Sequence, residues 1–442
     1  MHLVRLFSLV LILAFGMADP GRALTLLRDP DMEHSLRQLA TPVLKAAGLS
    51  PTRVNILVID DRRLNAFVVD RDNIFIHSGL LLKMTTPEML QALVAHEAAH
   101  IASGHLVRRP IAMRNARTAA GIGVALAAAA GVASGNSQAA GAAALGAANT
   151  AMRLFFTHTR AEESSADASA VRYMVRAGVD PQGAVDLIDI FRGQDVLSVG
   201  RQDPYARSHP MSADRYRVIK RLAEANKGRA RDNPQARYWF ARAKGKLSAF
   251  KRSPKWTLTR AGESGFKDVA LMRRAVAHHR QSQMGKALRA LDQAIALRPG
   301  DPYYYELRGQ ILLENRRFSQ AAASYGRAVN AAPRDALILG SYGRALLAQG
   351  QYGKALRILT KARARDGRDI RVMRDLGVAH AKTGSPGMAS VVTAERYALQ
   401  GRLEDAAIHA TRASGLLPRG SGGWHRAQDV LSAAKSANRK RK

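Results

Sequence analysis

Apolar positions recur at helical spacing along most of this chain, and short β-like runs occur only near its start. Leu26 to Leu49 has helical spacing with polar faces. Val54 to Ile59 and Asn65 to Val69 read as strands, and the polar turn Asp70 to Asn73 leads into a third run, Ile74 to His77. These predict a small antiparallel sheet. Thr85 and Thr86 then precede Pro87, the order expected where a helix opens, and Leu90, Leu93 and Val94 carry its apolar face through His100. The expected fold class is mainly α with a small antiparallel β-sheet.

From Asp268 onward the pattern has a second, longer period. Met284, Phe318 and Tyr352 are 34 residues apart, as are Ala287, Ala321 and Ala355, Ala294, Ala328 and Ala362, and Gly309, Gly343 and Gly377. Pro299 and Pro333 close successive units. A 34-residue period with small residues at helix crossings matches tetratricopeptide repeats, whose helix pairs stack into an α-solenoid with a concave binding surface. Three units are clear, and Gln400 to Pro418 reads as a further half-unit after an irregular insert.

Composition narrows the chemistry. The 442 residues contain no cysteine, which excludes disulfides, thiol catalysis and Cys-based zinc sites, so a metal here needs His, Asp or Glu. Lys and Arg number 68 against 35 Asp and Glu, a net +33 that favours an anionic partner without naming one. Residues 1–23 join a basic start, the apolar run Leu6 to Phe15 and small residues at Ala18 and Ala23, the pattern of a signal peptide. Export argues against a nucleic-acid partner, and no nucleic-acid-binding motif is present. Ala119 to Ala148 is an Ala/Gly-rich insert that reads as a helical hairpin packing small faces together, or as a membrane-apposed or mobile lid near the site.

His96-Glu97-Ala98-Ala99-His100 is an HExxH sequence in the helix that Pro87 opens. Residues four apart differ by about 40° around a helix, so both imidazoles project from one face and can grip one Zn²⁺. Glu97 lies about 100° away, placed to take a proton from an attacking water without becoming a ligand. A catalytic zinc requires a third protein ligand. Glu163 is the candidate, with Asp167 four residues on to orient a ligand histidine, and Ala161, Ala166, Ala168 and Ala170 beside them permit two helices to approach closely. His105 falls off the ligand face and reads as structural.

With LNAFVV (Leu64 to Val69), HSGLL (His77 to Leu81), HEAAH, RAEESSAD (Arg160 to Asp167) and SHP (Ser208 to Pro210) in this order, the chain resembles the gluzincin zinc metallopeptidases that include HtpX and the CAAX prenyl proteases. Its signal peptide and repeats make it most similar to the exported BepA-like group. The resemblance implies a zincin-type metalloprotease fold with one Zn²⁺ per chain held by His96, His100 and Glu163, Glu97 as general base, and Asp167 behind a ligand. It also implies that Asn65, Ala66 and Phe67 form an edge strand that pairs with substrate backbone. The matching His209 lies near the metal in that family. A fourth ligand, a latency switch, an oxyanion partner and a structural residue are all open for it. The Asp70 to Asn73 turn departs from the Pro/Gly-rich turn common there.

The expected organisation is a signal peptide (1–23), a metallopeptidase domain (24–250), a linker (251–267), a repeat domain (268–434) and a basic tail (435–442). The expected function is a periplasmic zinc metalloendopeptidase acting on envelope proteins. Its repeats would recruit protein substrates or an assembly complex, with peripheral membrane contact. The rival is a chaperone or scaffold acting through the repeats, its metal site plugged.

Overall fold

In a computed structural model, residues 25–105, 160–194, 197, 201–210 and 212–441 are described. The signal-peptide segment, the Ala/Gly-rich insert and Lys442 lie outside them. The chain divides into two compact units, one of Met1–Arg28 with Leu39–Asp232, the other of Asp29–Gln38 with Asn233–Lys442.

The first unit is built on a four-stranded sheet in the order β1 (Leu26–Leu27), β2 (Asn55–Ile59), β4 (Asn73–His77), β3 (Ala66–Val68). The three expected strands are present within one residue at most ends, but the sheet is mixed rather than antiparallel. β3 and β4 form the expected hairpin, with Ala66 opposite Ile76 and Val68 opposite Ile74. Its turn is held by Asp70, whose Oδ1 accepts from the Asp72 amide at 2.9 Å. β4, however, runs parallel to β2 with Ile56 beside Ile74 and Val58 beside Ile76. A turn sequence speaks only for the two strands it joins. Here the chain passes from β2 to the far edge before returning between, which forces β4 and β2 to point the same way. Leu26–Leu27, expected to be helical, instead pairs antiparallel with Ile59 and Val58, and the helix begins at Pro30.

The HExxH helix spans Pro87–Ala102, capped by Thr86, whose side chain accepts from the Met89 amide. Almost every residue of it is buried, because helices cover it on several sides. Gly183, in the Gln182–Asp189 helix, shows how closely: a Cβ there would sit 2.5 Å from the backbone of Glu88. Of the four alanines expected to let helices approach, Ala166 and Ala170, on the helix over 160–176, are buried, whereas Ala168 is half-buried and Ala161 is exposed.

The second unit is helical throughout. Lys267–Arg280 pairs with Met284–Leu297, Pro302–Glu314 with Phe318–Ala331, Ala336–Ala348 with Tyr352–Arg365, and Ile370–Lys382 with Pro386–Leu399. The alanine columns and two glycines of the glycine column have a packing reason. Ala287, Ala321 and Ala355 are wholly buried, and a Cβ on Gly309 or Gly343 would stand 2.9 Å from Tyr325 or 2.5 Å from Leu359. Asp301, Asp335 and Asp369 cap three successive first helices. The stretch read as an irregular insert is the regular helix Pro386–Leu399, and it pairs with Leu403–Leu416. Gly422–Arg441 ends the array and absorbs most of the basic tail.

The division between the units falls between Asp232 and Asn233, ahead of the expected boundary at 250. The expected linker is folded: Pro254–Arg260 is a helix, and the buried Arg273 donates Nη1 to the carbonyls of Arg260 at 2.6 Å and Ala261 at 3.2 Å. Among the described residues no helix is long and apolar enough to cross a membrane.

Candidate metal centre

His96 and His100 project from one face of the HExxH helix, with their Nε2 atoms 3.1 Å apart. Glu163, carried in by the 160–176 helix, places Oε2 3.4 Å from His96 Nε2 and Oε1 3.5 Å from His100 Nε2. Glu163 thus meets the two imidazoles through different oxygens, at spacings near the about 3.3 Å that separates neighbouring donors around a zinc-sized ion with bonds of about 2.0 Å. The fourth side chain is His209, whose Nδ1 is 3.3 Å from His96 Nε2 and 2.9 Å from Glu163 Oε2. All four side chains are buried, and their ligand atoms lie within 4.8 Å of one another. Three of these residues were expected to converge; His209 had been left open.

The outer nitrogens of the histidines are engaged away from this point, which leaves each Nε2 to face inward. Asp167 Oδ1 accepts from His96 Nδ1 at 3.0 Å. His100 Nδ1 meets Nδ1 of the buried His105 at 2.9 Å. His105, read from its azimuth as structural, thus stands directly behind His100. Ser103 and Gly104 end the helix after Ala102, and the chain turns back before His105. Azimuth fails once the helix has stopped.

Arg215 was missed altogether. It is buried, and it donates Nε and Nη2 to the two oxygens of Asp167 at 2.7 and 2.9 Å. Its Nη1 donates to the carbonyl of Pro210 at 2.8 Å, beside His209. Its Nη2 is also 3.4 Å from Glu163 Oε2. One guanidinium therefore ties together Asp167, which supports His96, with Glu163 and the segment carrying His209. The only sequence signal was its place three residues past the capping Ser212.

Charge follows this geometry. Burial alone would lower the His96 pKa, but the carboxylates of Asp167 and Glu163 outweigh it and raise the imidazole to about 10. Burial would raise Glu163, and His209 and His96 instead hold it well below the usual carboxylate range. Asp167 is lowered too, its burial outweighed by His96 and Arg215. A cation bound between these side chains would compete with the proton on His96.

Glu97 is fully buried, and neither carboxylate oxygen has a hydrogen-bond partner among the described residues. Its Oε1 is 3.6 Å from His209 Nε2. A buried carboxylate with both oxygens unengaged beside a ligand cluster fits a group that works on a visiting molecule. Nothing else in the donor set conflicts with a divalent ion.

The edge segment lies within backbone reach of this cluster. Tyr205 donates its amide to the Leu64 carbonyl at 3.2 Å, and His209 donates its amide to the Tyr205 carbonyl at 2.8 Å. The Tyr205 ring packs on His209 with centroids 4.5 Å apart. Ala66 and Phe67 lie in β3, an outer strand of the sheet, and Phe67 stacks on Phe75. Asn65 precedes it, its Oδ1 buried without a partner among the described residues.

The model of peptidase family M48 matches residues 28–223, and a tetratricopeptide repeat model matches residues 312–385. The beta-barrel assembly-enhancing protease of Escherichia coli (strain K12) is 24% identical over 412 residues, which cover 90% of this chain and 81% of that protein. A Vibrio cholerae relative is 26% identical over 426 residues, 89% of this chain and 82% of its own. The metalloprotease LoiP of Escherichia coli (strain K12) is 30% identical over 183 residues, 41% of this chain and 68% of LoiP. Together with the ligand cluster, these matches place the chain in peptidase family M48, as a metalloprotease followed by tetratricopeptide repeats.

Proposed function

We propose that this chain is a zinc-dependent metalloendopeptidase of the cell envelope, exported to the periplasm. In this reading it hydrolyses peptide bonds of misfolded or stalled envelope and outer-membrane proteins, and its repeats recruit those substrates or their assembly machinery. The convergence of His96, His100 and Glu163 on one point, with Glu97 beside it, carries the proposal. The similarity to the beta-barrel assembly-enhancing protease of Escherichia coli supports the substrate class.

His96, His100 and Glu163 would hold the ion. Zinc there supplies Lewis acidity toward a peptide carbonyl and a water. Glu97 takes the proton from the attacking water and returns it to the leaving amine. Asp167 and Arg215 fix the ring of His96, so that little motion is needed when charge develops. The open side of β3 accepts an extended substrate strand by backbone pairing, which delivers a bond toward Glu97.

The test is proteolysis of casein by wild type and Glu97→Gln, with zinc counted by atomic absorption alongside His96→Ala. One zinc per wild-type chain, casein cleavage lost in Glu97→Gln and zinc lost in His96→Ala are the expected results. A zinc-loaded wild type with no cleavage would favour the second reading, a scaffold acting through its repeats. The position of His209 supports that rival, because its Nδ1 already lies against His96 and Glu163.

A further inference from the structure

The positive charge is concentrated on the repeats. Residues 233–442 carry 40 Lys and Arg against 14 Asp and Glu, so 40 − 14 = +26 of the whole chain's +33 resides there. Two helices of this region, Pro234–Lys251 and Tyr352–Arg365, each contain five cations and no acid, but the first buries Arg242 and Lys246. Tyr352–Arg365 buries Ala355, Leu359 and Ala362, and its outer face presents Lys354, Arg357, Lys361 and Arg365, all exposed. Spaced three and four residues apart, they form a row about 16 Å long. Among the described residues no carboxylate pairs with any of the four, although neighbouring arginines on the array do find partners, Arg363 with Glu395 and Arg344 with Asp375.

The 34-residue period extends the row beyond one helix. Lys286 and Arg289 occupy the positions two periods before Lys354 and Arg357, and Arg327 that one period before Lys361. All three are exposed on second helices that bury the equivalent alanines.

We propose that this face, centred on Lys354, Arg357 and Lys361, docks the protein on an anionic phospholipid surface. A shaped protein or nucleic-acid partner is read through pockets, aromatic platforms or fixed polar pairs. Beside its cations this face offers only Gly353, Thr360, Ala364 and the partly buried Ile358, and no aromatic ring. Long flexible cations on a row without acids suit a fluid plane of phosphate headgroups, which asks for charge and little shape. The inference is independent of the metal site.

The test is flotation of the full chain with vesicles of phosphatidylcholine alone or mixed with phosphatidylglycerol, at low and high salt. Wild type is expected to float with the anionic vesicles only, and less at high salt. Lys354→Gln, Arg357→Gln and Lys361→Gln combined should lower that partitioning by about a hundredfold. The charge-preserving set Lys354→Arg, Arg357→Lys and Lys361→Arg should float like wild type. So should a control removing three exposed cations of the other unit, Lys45, Lys83 and Lys220, by Gln substitution. Equal flotation of the glutamine triple and wild type overturns the proposal, as does an equal loss in the control. Tighter binding of double-stranded DNA or polyglutamate than of the vesicles overturns the choice of lipid.

Discussion

Arg215 grips Asp167 with two hydrogen bonds, 2.7 and 2.9 Å long, in a place where both side chains are about 95% buried. Asp167 in turn holds His96. Removing the guanidinium strands a buried carboxylate, which costs about 3–5 kcal/mol. Arg215→Met should therefore lower the melting temperature and weaken zinc binding about 10–100-fold. Calorimetry and competition with a chromophoric chelator measure the two effects.

His105 supports the second ligand as Asp167 supports the first. His105→Ala should reduce zinc affinity by about tenfold or more, since partners behind a ligand histidine tune its orientation and basicity. His105→Gln, whose side-chain carbonyl can accept from His100, should recover part of the loss in the same chelator assay. A variant that binds zinc as wild type does would remove His105 from the site.

Glu97 contributes no bond to the cluster, so Glu97→Gln should retain zinc while losing cleavage by about 10²-fold or more. His96→Ala should lose both. Metal content and initial rate, measured on one preparation, separate the two.

Metal retention should also depend on pH. His96, raised to about 10 by Asp167 and Glu163, would have to release its proton for an ion to bind. Zinc affinity should therefore rise with pH across the neutral range and fall on acidification, as chelator titrations would show.

In the repeat unit, Glu306 is buried beside Asp29 and Asp31, with Lys246 as its cationic neighbour. Burial is the main force that pushes its pKa from 4.5 up to about 8, and Lys246 opposes it. The folded chain thus keeps a proton that the unfolded chain surrenders above about 4.5. This group favours folding most at low pH, and its contribution is lost as pH rises to about 8. Denaturant midpoints of the repeat unit should fall between about pH 5 and 8 and level off above, and Glu306→Gln should flatten that slope.

Gly309 faces the Tyr325 ring at a distance no Cβ can share, 2.9 Å. Gly309→Ala should destabilise the array by about 1–3 kcal/mol despite the better helix propensity of alanine. A thermal melt gives the answer directly.

Much of this was legible because it is local. The HExxH pair and the Glu163–Asp167 pair each lie on a single helix, where a spacing of four fixes a shared face whatever surrounds it. The 34-residue columns were legible for a related reason: every repeat solves the same packing problem, so Gly309 and Gly343 face the same crowding. Even so, the stretch after Lys382 was read as irregular. Its helix keeps the packing but not the consensus residues.

What the sequence determined by itself, then, is the set of local periods and the donor chemistry: no thiols, two imidazoles on one face, a carboxylate pair on another. Tertiary structure alone decided that β4 lies parallel to β2, that His209 comes within 3.3 Å of His96 across 113 residues, and that Arg215 locks Asp167 across 48. Those contacts are chosen by how whole helices and strands bury their faces against one another, and no spacing along the chain records that choice.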